Sequence, residues 1–228
     1  MDRNPPITVV SPQQTHQDRK DALTCQDHMV LVLDDDPSIR SSLQRLLTSH
    51  GFSTRLHATP EDFFNAGLPA VPACLLLDNQ LGNDITGVEV HAELQRRGWD
   101  LPTVFVTAHW NVRAVVSAIR AGADGYITKP YDPAELVETV TQALERARAQ
   151  WHNGVQITSA RVKAATLTAR EREIVTLVLR GALNKEIADQ LNIALVTVKV
   201  HRGRAMRKFG AGNAAELAHL AALAGLDT

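Results

Sequence analysis

Cysteine is scarce, net charge is almost nil, and no apolar run is long enough to span a bilayer in this chain of 228 residues. The two cysteines, Cys25 and Cys74, form neither a disulfide framework nor a zinc-type spacing. Cys74 precedes Leu75-Leu76-Leu77 and reads as a small core residue. The nine histidines are scattered without ligand spacing, which argues against a histidine metal site. A bilayer span needs about 20 consecutive apolar residues, and none is present, so no membrane role is expected. The N-terminus lacks the apolar core of a signal peptide, so a cytoplasmic location is expected. The formal net charge of -1 says little about partners, but its distribution says more. Lys199, Arg202, Arg204, Arg207 and Lys208 fall together with no acid among them, while Asp34, Asp35 and Asp36 form the opposite cluster.

What is present is organised in two parts. Residues 1–28 are polar, with Pro5-Pro6 and Gln13-Gln14, and read as a flexible tail. From Met29 to residue 150, short apolar runs at 29–33, 52–56, 73–77, 103–106 and 125–128 end in polar or acidic residues. Helical stretches follow them at 37–50, 60–66, 87–98, 112–121 and 133–150. Pro37 and Pro133 sit where a first helical turn tolerates proline. Gly51 and Gly122 sit where helices commonly stop. This alternation predicts an α/β doubly wound, flavodoxin-like domain over 29–150, with a five-stranded parallel sheet covered on both faces.

Residues 151–166 show no clear periodicity and read as a linker. Residues 167–228 read as a small all-α domain. Thr168-Ala-Arg-Glu171 has the capping-box pattern that opens a helix, and Gly181 ends it. A short helix at 185–191, a turn at 192–194, a basic helix at 195–209 and a last helix at 214–224 complete a helix-turn-helix arrangement.

In doubly wound sheets, sites form beyond the carboxyl ends of the strands, where strand order reverses. Asp34 and Asp35 follow the first strand and Asp78 follows the third. In a 2-1-3-4-5 order these strands are neighbours, and the three carboxylates converge. Such a cluster repels itself unless a cation or protons relieve it. Hard oxygen ligands favour Mg²⁺. Thr107 ends the fourth strand and Lys129 the fifth, adding a hydroxyl and an ammonium. Together these groups suit phosphoryl transfer to an aspartate nucleophile. No glycine-rich phosphate loop follows the first strand, which disfavours nucleotide binding.

Residues 30–150 resemble the receiver domain of two-component response regulators. The resemblance is carried by Leu31-Val-Leu-Asp-Asp-Asp-Pro37, Leu75-Leu-Leu-Asp78, Val104-Phe-Val-Thr-Ala108 and Ala121-Gly-Ala-Asp-Gly-Tyr-Ile-Thr-Lys-Pro130. It implies that Asp78 accepts a phosphoryl group from a sensor histidine kinase. It further implies that Mg²⁺ is held by Asp34, Asp35, Asp78 and the Gln80 carbonyl, and that Thr107 and Tyr126 are a switch pair. Lys129 would pair with the phosphoryl group, with a cis bond to Pro130. Two departures stand out: Leu81-Gly82 replaces the usual Met-Pro, and the loop Asn83-Asp-Ile-Thr-Gly87 is one residue longer than the family's. Trp110 also stands where family members often carry a small residue. A covalent hydrolase built on Asp78 would need substrate-binding insertions that this compact domain lacks. A regulator whose receiver goes unphosphorylated would not need the full set of Asp34, Asp35, Asp78, Thr107 and Lys129.

In the basic helix, Val198, Ala205 and Phe209 recur at helical spacing and should face a core. Val200, about 200° round from Val198, should point outward. An outward valine beside Lys199 and His201 suits the DNA major groove, where it can meet a thymine methyl. Arg202, Arg204 and Lys208 are better placed for phosphates. Residues 167–224 resemble the LuxR/NarL/FixJ-type DNA-binding domain. Its motifs here are Leu167-Thr-Ala-Arg-Glu-Arg-Glu173, Gly181, Asn184-Lys-Glu-Ile-Ala188 and Thr197-Val-Lys-Val-His-Arg202. The resemblance makes 195–209 the recognition helix, adds Thr197 to its contact set, and makes Asn184 and Lys185 phosphate contacts. Gly203 stands where some relatives carry a basic residue. The combined features are closest to the FixJ branch. They imply a transcription regulator that turns over no separate substrate. Once phosphorylated it would dimerise through 112–120 and Tyr126 and bind double-stranded promoter DNA.

Overall fold

The computed structural model describes residues 28–82, 85–108 and 122–226. The expected helix at 112–121, the proposed dimer face at 112–120 and Trp110 lie outside them. The chain divides into two compact units, residues 1–149 and 150–228.

In the first unit, strands β1 (Met29–Leu33), β2 (Ser53–His57), β3 (Ala73–Asp78), β4 (Thr103–Thr107) and β5 (Gly125–Thr128) form one sheet. The order is β2-β1-β3-β4-β5 and every pairing is parallel, the arrangement expected from the alternating pattern. Helices α1 (Pro37–Ser49), α2 (Pro60–Ala66) and α3 (Gly87–Arg96) connect the strands. Side chains alternate between the sheet's faces, so each central strand serves two cores. Val30, Val32, Leu76 and Val106 pack with Leu43 and Leu47 of α1 and with Leu136, Val140 and Leu144. Leu31, Leu33, Leu75, Leu77 and Phe105 pack on the other face with Phe63 of α2 and Val90 and Leu94 of α3. Cys74 is a buried free thiol within the first of these cores.

Helix starts follow local chemistry. Asp36 caps α1, its carboxylate accepting from the Ser38 and Ile39 amides, with Pro37 in the first turn. Thr86 and Glu89 form a reciprocal capping box at α3.

Helix α4 (Pro133–Ala165) is longer than expected. Residues 151–166, read as a linker without periodicity, are helical through Ala165. The periodicity fails because most side chains from Trp151 to Ser159 are exposed, so no apolar stripe is selected there.

In the second unit, α5 (Ala169–Leu179), α6 (Asn184–Gln190), α7 (Leu195–Phe209) and α8 (Ala214–Leu223) surround two small cores. Ala164, Val175, Ala205, Phe209 and Leu217 meet in one, and Ile174, Ile187 and Val198 in the other. The last turns of α4 belong to this unit. Ala160 and Ala164 are buried, and Lys163 donates to the Phe209 carbonyl at the end of α7. Thr168 and Glu171 form the expected capping box. A third partner was not expected: Lys208 Nζ lies 2.6 Å from the buried Glu171 carboxylate and donates to the Thr166 carbonyl.

Burial pushes the Glu171 carboxyl up, but Lys208 and the Thr168 amide and hydroxyl outweigh it and hold it below the usual range. A depressed folded value means that this stability is fully present above the unfolded pKa of about 4.3 and is lost as pH falls through the folded value. Glu171→Gln should therefore lower the melting temperature of the second unit at neutral pH. It should also flatten its acid dependence, measured by circular dichroism melts across an acid-to-neutral series. An unchanged acid slope would remove Glu171 from the account.

Candidate functional site

The parallel register carries four strand ends to one edge of the sheet. Leu33 pairs with Leu77, Asp78 with Val106, and Thr107 with Thr128. The residues just past those positions form a pocket. Asp34, Asp35 and Asp78 offer carboxylate oxygens all within 4.8 Å of one another. Their exposures differ: Asp34 is 2% exposed and Asp78 9%, while Asp35 is exposed.

Asp34 is held hardest. Its carboxylate accepts from the Asp36 amide at 2.9 Å, and its carbonyl accepts from Arg40 Nη1 at 2.7 Å. Lys129 reaches in from the end of β5, with Nζ 2.8 Å from Asp34 Oδ2 and 3.4 Å from Asp78 Oδ1. The Lys129–Pro130 bond is cis. Asp78 also accepts from the Asn79 amide at 2.9 Å.

Burial raises the Asp78 carboxyl above its usual range, against the pull of Lys129, and the negative charge of Asp34 pushes the same way. Lys129 is held above its ordinary value. Burial opposes its charge, but Asp34 and Asp78 outweigh burial.

Thr107 is buried at the end of β4, and its carbonyl accepts from the Lys129 amide at 2.7 Å. Tyr126 lies opposite Phe105 in register. Burial raises its phenol, partly offset by a hydrogen bond to Thr107. The two residues expected as a switch pair thus touch.

The loop after Asp78 explains the replacement of Met-Pro. Leu81 is buried in the core with Leu31 and Leu77. Gly82 has φ +43, which proline cannot adopt. A Cβ on Gly82 would stand 3.3 Å from Asp35 Oδ2. The exposed Gln80 bridges to Thr86 across the loop. Asn83 and Asp84 lie outside the described residues. Gly87 closes the loop against the acceptor strand, since a Cβ there would fall 2.5 Å from the Asp78 carbonyl oxygen.

In the second unit, α7 carries the basic cluster. Val198, Ala205 and Phe209 are fully buried, and Val200 is 46% exposed. Lys199 and Arg204 are exposed, as is Lys185 on α6, while Thr197 and His201 are half-buried. Arg202 Nη1 donates to Asn184 Oδ1 at 2.7 Å, so these two expected contacts hold each other across α6 and α7. Lys208, expected as a phosphate contact, lies against α5 instead of standing free on the helix surface. Its ammonium is committed to Glu171 and the Thr166 carbonyl, because it projects from the side of α7 that faces the start of α5. Two further apolar residues of α7 are exposed, Val196 at 66% and Leu195 at 42%. The angular argument that turns Val200 outward applies equally to Val196.

An acidic pocket with a lysine at the carboxyl edge of a 2-1-3-4-5 sheet, followed by a helix-turn-helix unit, defines a two-domain signalling regulator. The comparisons agree. Residues 30–141 match the response regulator receiver domain, and residues 165–221 match the bacterial regulatory proteins of the luxR family. The chain is 33% identical over 201 residues to Nodulation protein W of Bradyrhizobium diazoefficiens, covering 87% of each chain. It is 34% identical over 197 residues to the transcriptional regulatory protein FixJ of Azorhizobium caulinodans, covering 86% of this chain and 93% of that one. Among solved structures it is similar to the response regulator StyR, with a TM-score of 0.75, 33% identity, and coverage of 86% of this chain and 98% of that one. The chain belongs to the response regulators that join a receiver to a LuxR-type DNA-binding domain. Within them it is FixJ-like. It is a transcription regulator of a two-component system. Among the described residues, no helix is long and apolar enough to cross a membrane.

Because Asp78 titrates above its unfolded value, its ionisation costs stability as pH rises through the folded pKa. In metal-free buffer, Asp78→Asn should therefore raise the receiver's melting temperature at neutral pH by roughly 2–8 °C. That gain should vanish towards the unfolded aspartate pKa of about 3.9. A variant no more stable than wild type at neutral pH would mean that Lys129 already offsets the repulsion.

Proposed function

We propose that Asp78 is the phosphoacceptor of this regulator and that its phosphorylation controls DNA binding by α7. The observation that carries the reading is the convergence of Asp34, Asp35, Asp78 and Lys129 at one sheet edge. In the transfer, an Asp78 carboxylate oxygen attacks the phosphorus of a phosphohistidine on a sensor kinase. The P–O bond forms, the P–N bond breaks, and the imidazole leaves with the bonding pair. Lys129 would offset charge on the phosphoryl oxygens, and the Thr107 hydroxyl would donate to one of them.

Three carboxylates, one exposed, fit Mg²⁺ in donor type, and the Gln80 carbonyl would add a further oxygen. Bound there, it would supply the divalent charge that lets Asp78 and the phosphoryl oxygens approach. Asp34 and Asp35 would be its further ligands.

Thr107 and Tyr126 form the switch. A hydroxyl drawn towards the phosphoryl group changes its bond to Tyr126. A modification shifts a population only through such differential contacts. The phosphorylated protein would pair through 112–120 and Tyr126, so that two α7 helices read half-sites one helical turn apart. Lys199, Val200 and His201 face bases on this reading. Thr197, Arg204, Lys185 and the Arg202–Asn184 pair position the backbone. The receiver domain over 29–150 and the DNA-binding domain over 167–228 act in the cytoplasm, with no substrate turned over.

Treatment with a small-molecule phosphodonor should add one phosphate to the intact mass, only with Mg²⁺ and not in Asp78→Asn. Sedimentation should show a larger species in the same sample. A folded wild type that gains no mass would overturn the phosphoacceptor role and leave the DNA-binding half standing.

A further inference from the structure

Three exposed apolar residues, Leu195, Val196 and Val200, lie in the first six positions of α7. Neither core of the unit uses them. At about 100° per residue, Val196, Val200 and Gly203 fall within about 60° of one another. They lie opposite the buried Val198, Ala205 and Phe209. From Val196 to Gly203 the centre of the outward strip thus has no side chain able to hydrogen-bond, and the exposed Arg207 closes the same strip at the far end of the helix. Val196 and Val200 present only methyl groups, and the Cβ missing from Gly203 would meet nothing within 4 Å. Basic groups flank the strip: Lys199 to one side and Arg204 to the other, both exposed. No acid lies in the first turn of α7.

We infer that this strip reads thymine methyl groups, and that Val196 is a second specificity-determining residue beside Val200. The inference rests on the reading of α7 as the helix that enters the major groove. The flanking charge favours a polyanion as the occupant. In the major groove only thymine offers an apolar group, its C5 methyl, whereas guanine, adenine and cytosine are told apart by donors and acceptors. Over the turns from Val196 to Gly203, a strip that lacks both discriminates by methyl contact. The bare Gly203 backbone admits close approach further along the same strip. The ligand class is therefore duplex DNA with thymines at two nearby steps of each half-site, one under Val196 and one under Val200. Of the flanking cations, Arg204 sets affinity and register and not sequence.

The test removes only the methyl. A site is selected from random duplexes with the full-length protein, with and without phosphodonor. Each thymine is then replaced singly by deoxyuridine. Loss of one buried methyl should weaken binding about four-fold, at two positions per half-site. Val196→Ala should lose its sensitivity at one of them and Val200→Ala at the other. Both substitutions are at exposed positions, and unchanged melting temperature and salt-dependent binding to random DNA will confirm intact folding. Equal binding of thymine and deoxyuridine at every position overturns the inference. So does a Val196→Ala protein that keeps the full wild-type pattern, or one whose only defect is lost self-association, which would make the strip a protein contact. If no site is enriched over random DNA in either state, the sequence-specific reading of α7 falls, and this inference falls with it.

Discussion

Three carboxylates and one ammonium at the carboxyl edge of the sheet form the balance on which the first unit depends. Asp34, Asp35 and Asp78 are brought together by backbone register, without any attraction among themselves. Lys129 stands between the two least exposed of them, closer to Asp34 than to Asp78. Burial makes each charge costly and each pairing stronger. Lys129 lies farther from Asp78 than from Asp34, and burial, helped by the Asp34 charge, raises the Asp78 carboxyl against its pull. Asp78 is thus the buried carboxylate where added cationic charge gains most.

The strand-end residues were legible because a parallel sheet has one functional edge. An apolar run that stops at an acid, a threonine or a lysine points those groups towards it. Asp34, Asp35, Asp78, Thr107 and Lys129 all follow from that rule. How Lys129 divides itself between Asp34 and Asp78 does not, because sub-ångström placement depends on packing from several elements. The loop after Asp78 was legible only as a departure. Its reason, a buried Leu81 and a positive φ at Gly82, needed the backbone.

The second unit shows the same boundary. Helix starts, the Thr168–Glu171 box and the buried face of α7 were readable from capping chemistry and spacing. Charge was not sufficient to assign roles. Lys199 and Lys208 are the same residue type on the same helix, yet one is exposed and the other is spent on a buried glutamate. Asn184 and Arg202, read as separate contacts, bind each other. The helical stretch after Gln150 was missed because its solvated turns carry no apolar period and Gly154 lowers local propensity. Its last turns are anchored by Ala164 and Lys163, each far in sequence from its partners on α7 and α8.

Charge conservation in the pocket argues for why Thr107 and Tyr126 should be the responsive pair. A phosphoryl group on Asp78 adds about one further negative charge where Lys129 is already shared. Lys129 cannot approach new oxygens closely without weakening its 2.8 Å contact to the buried Asp34. The next donor along the edge is neutral, the hydroxyl of Thr107 at the end of β4, and Tyr126 is bonded to it. Movement of that hydroxyl costs no buried charge, whereas movement of Lys129 would strand one. On the proposed phosphorylation of Asp78, the response that moves no buried charge would therefore run through Thr107 to Tyr126, at the β4–β5 end of the sheet, while Lys129 would offset the phosphoryl charge without leaving Asp34.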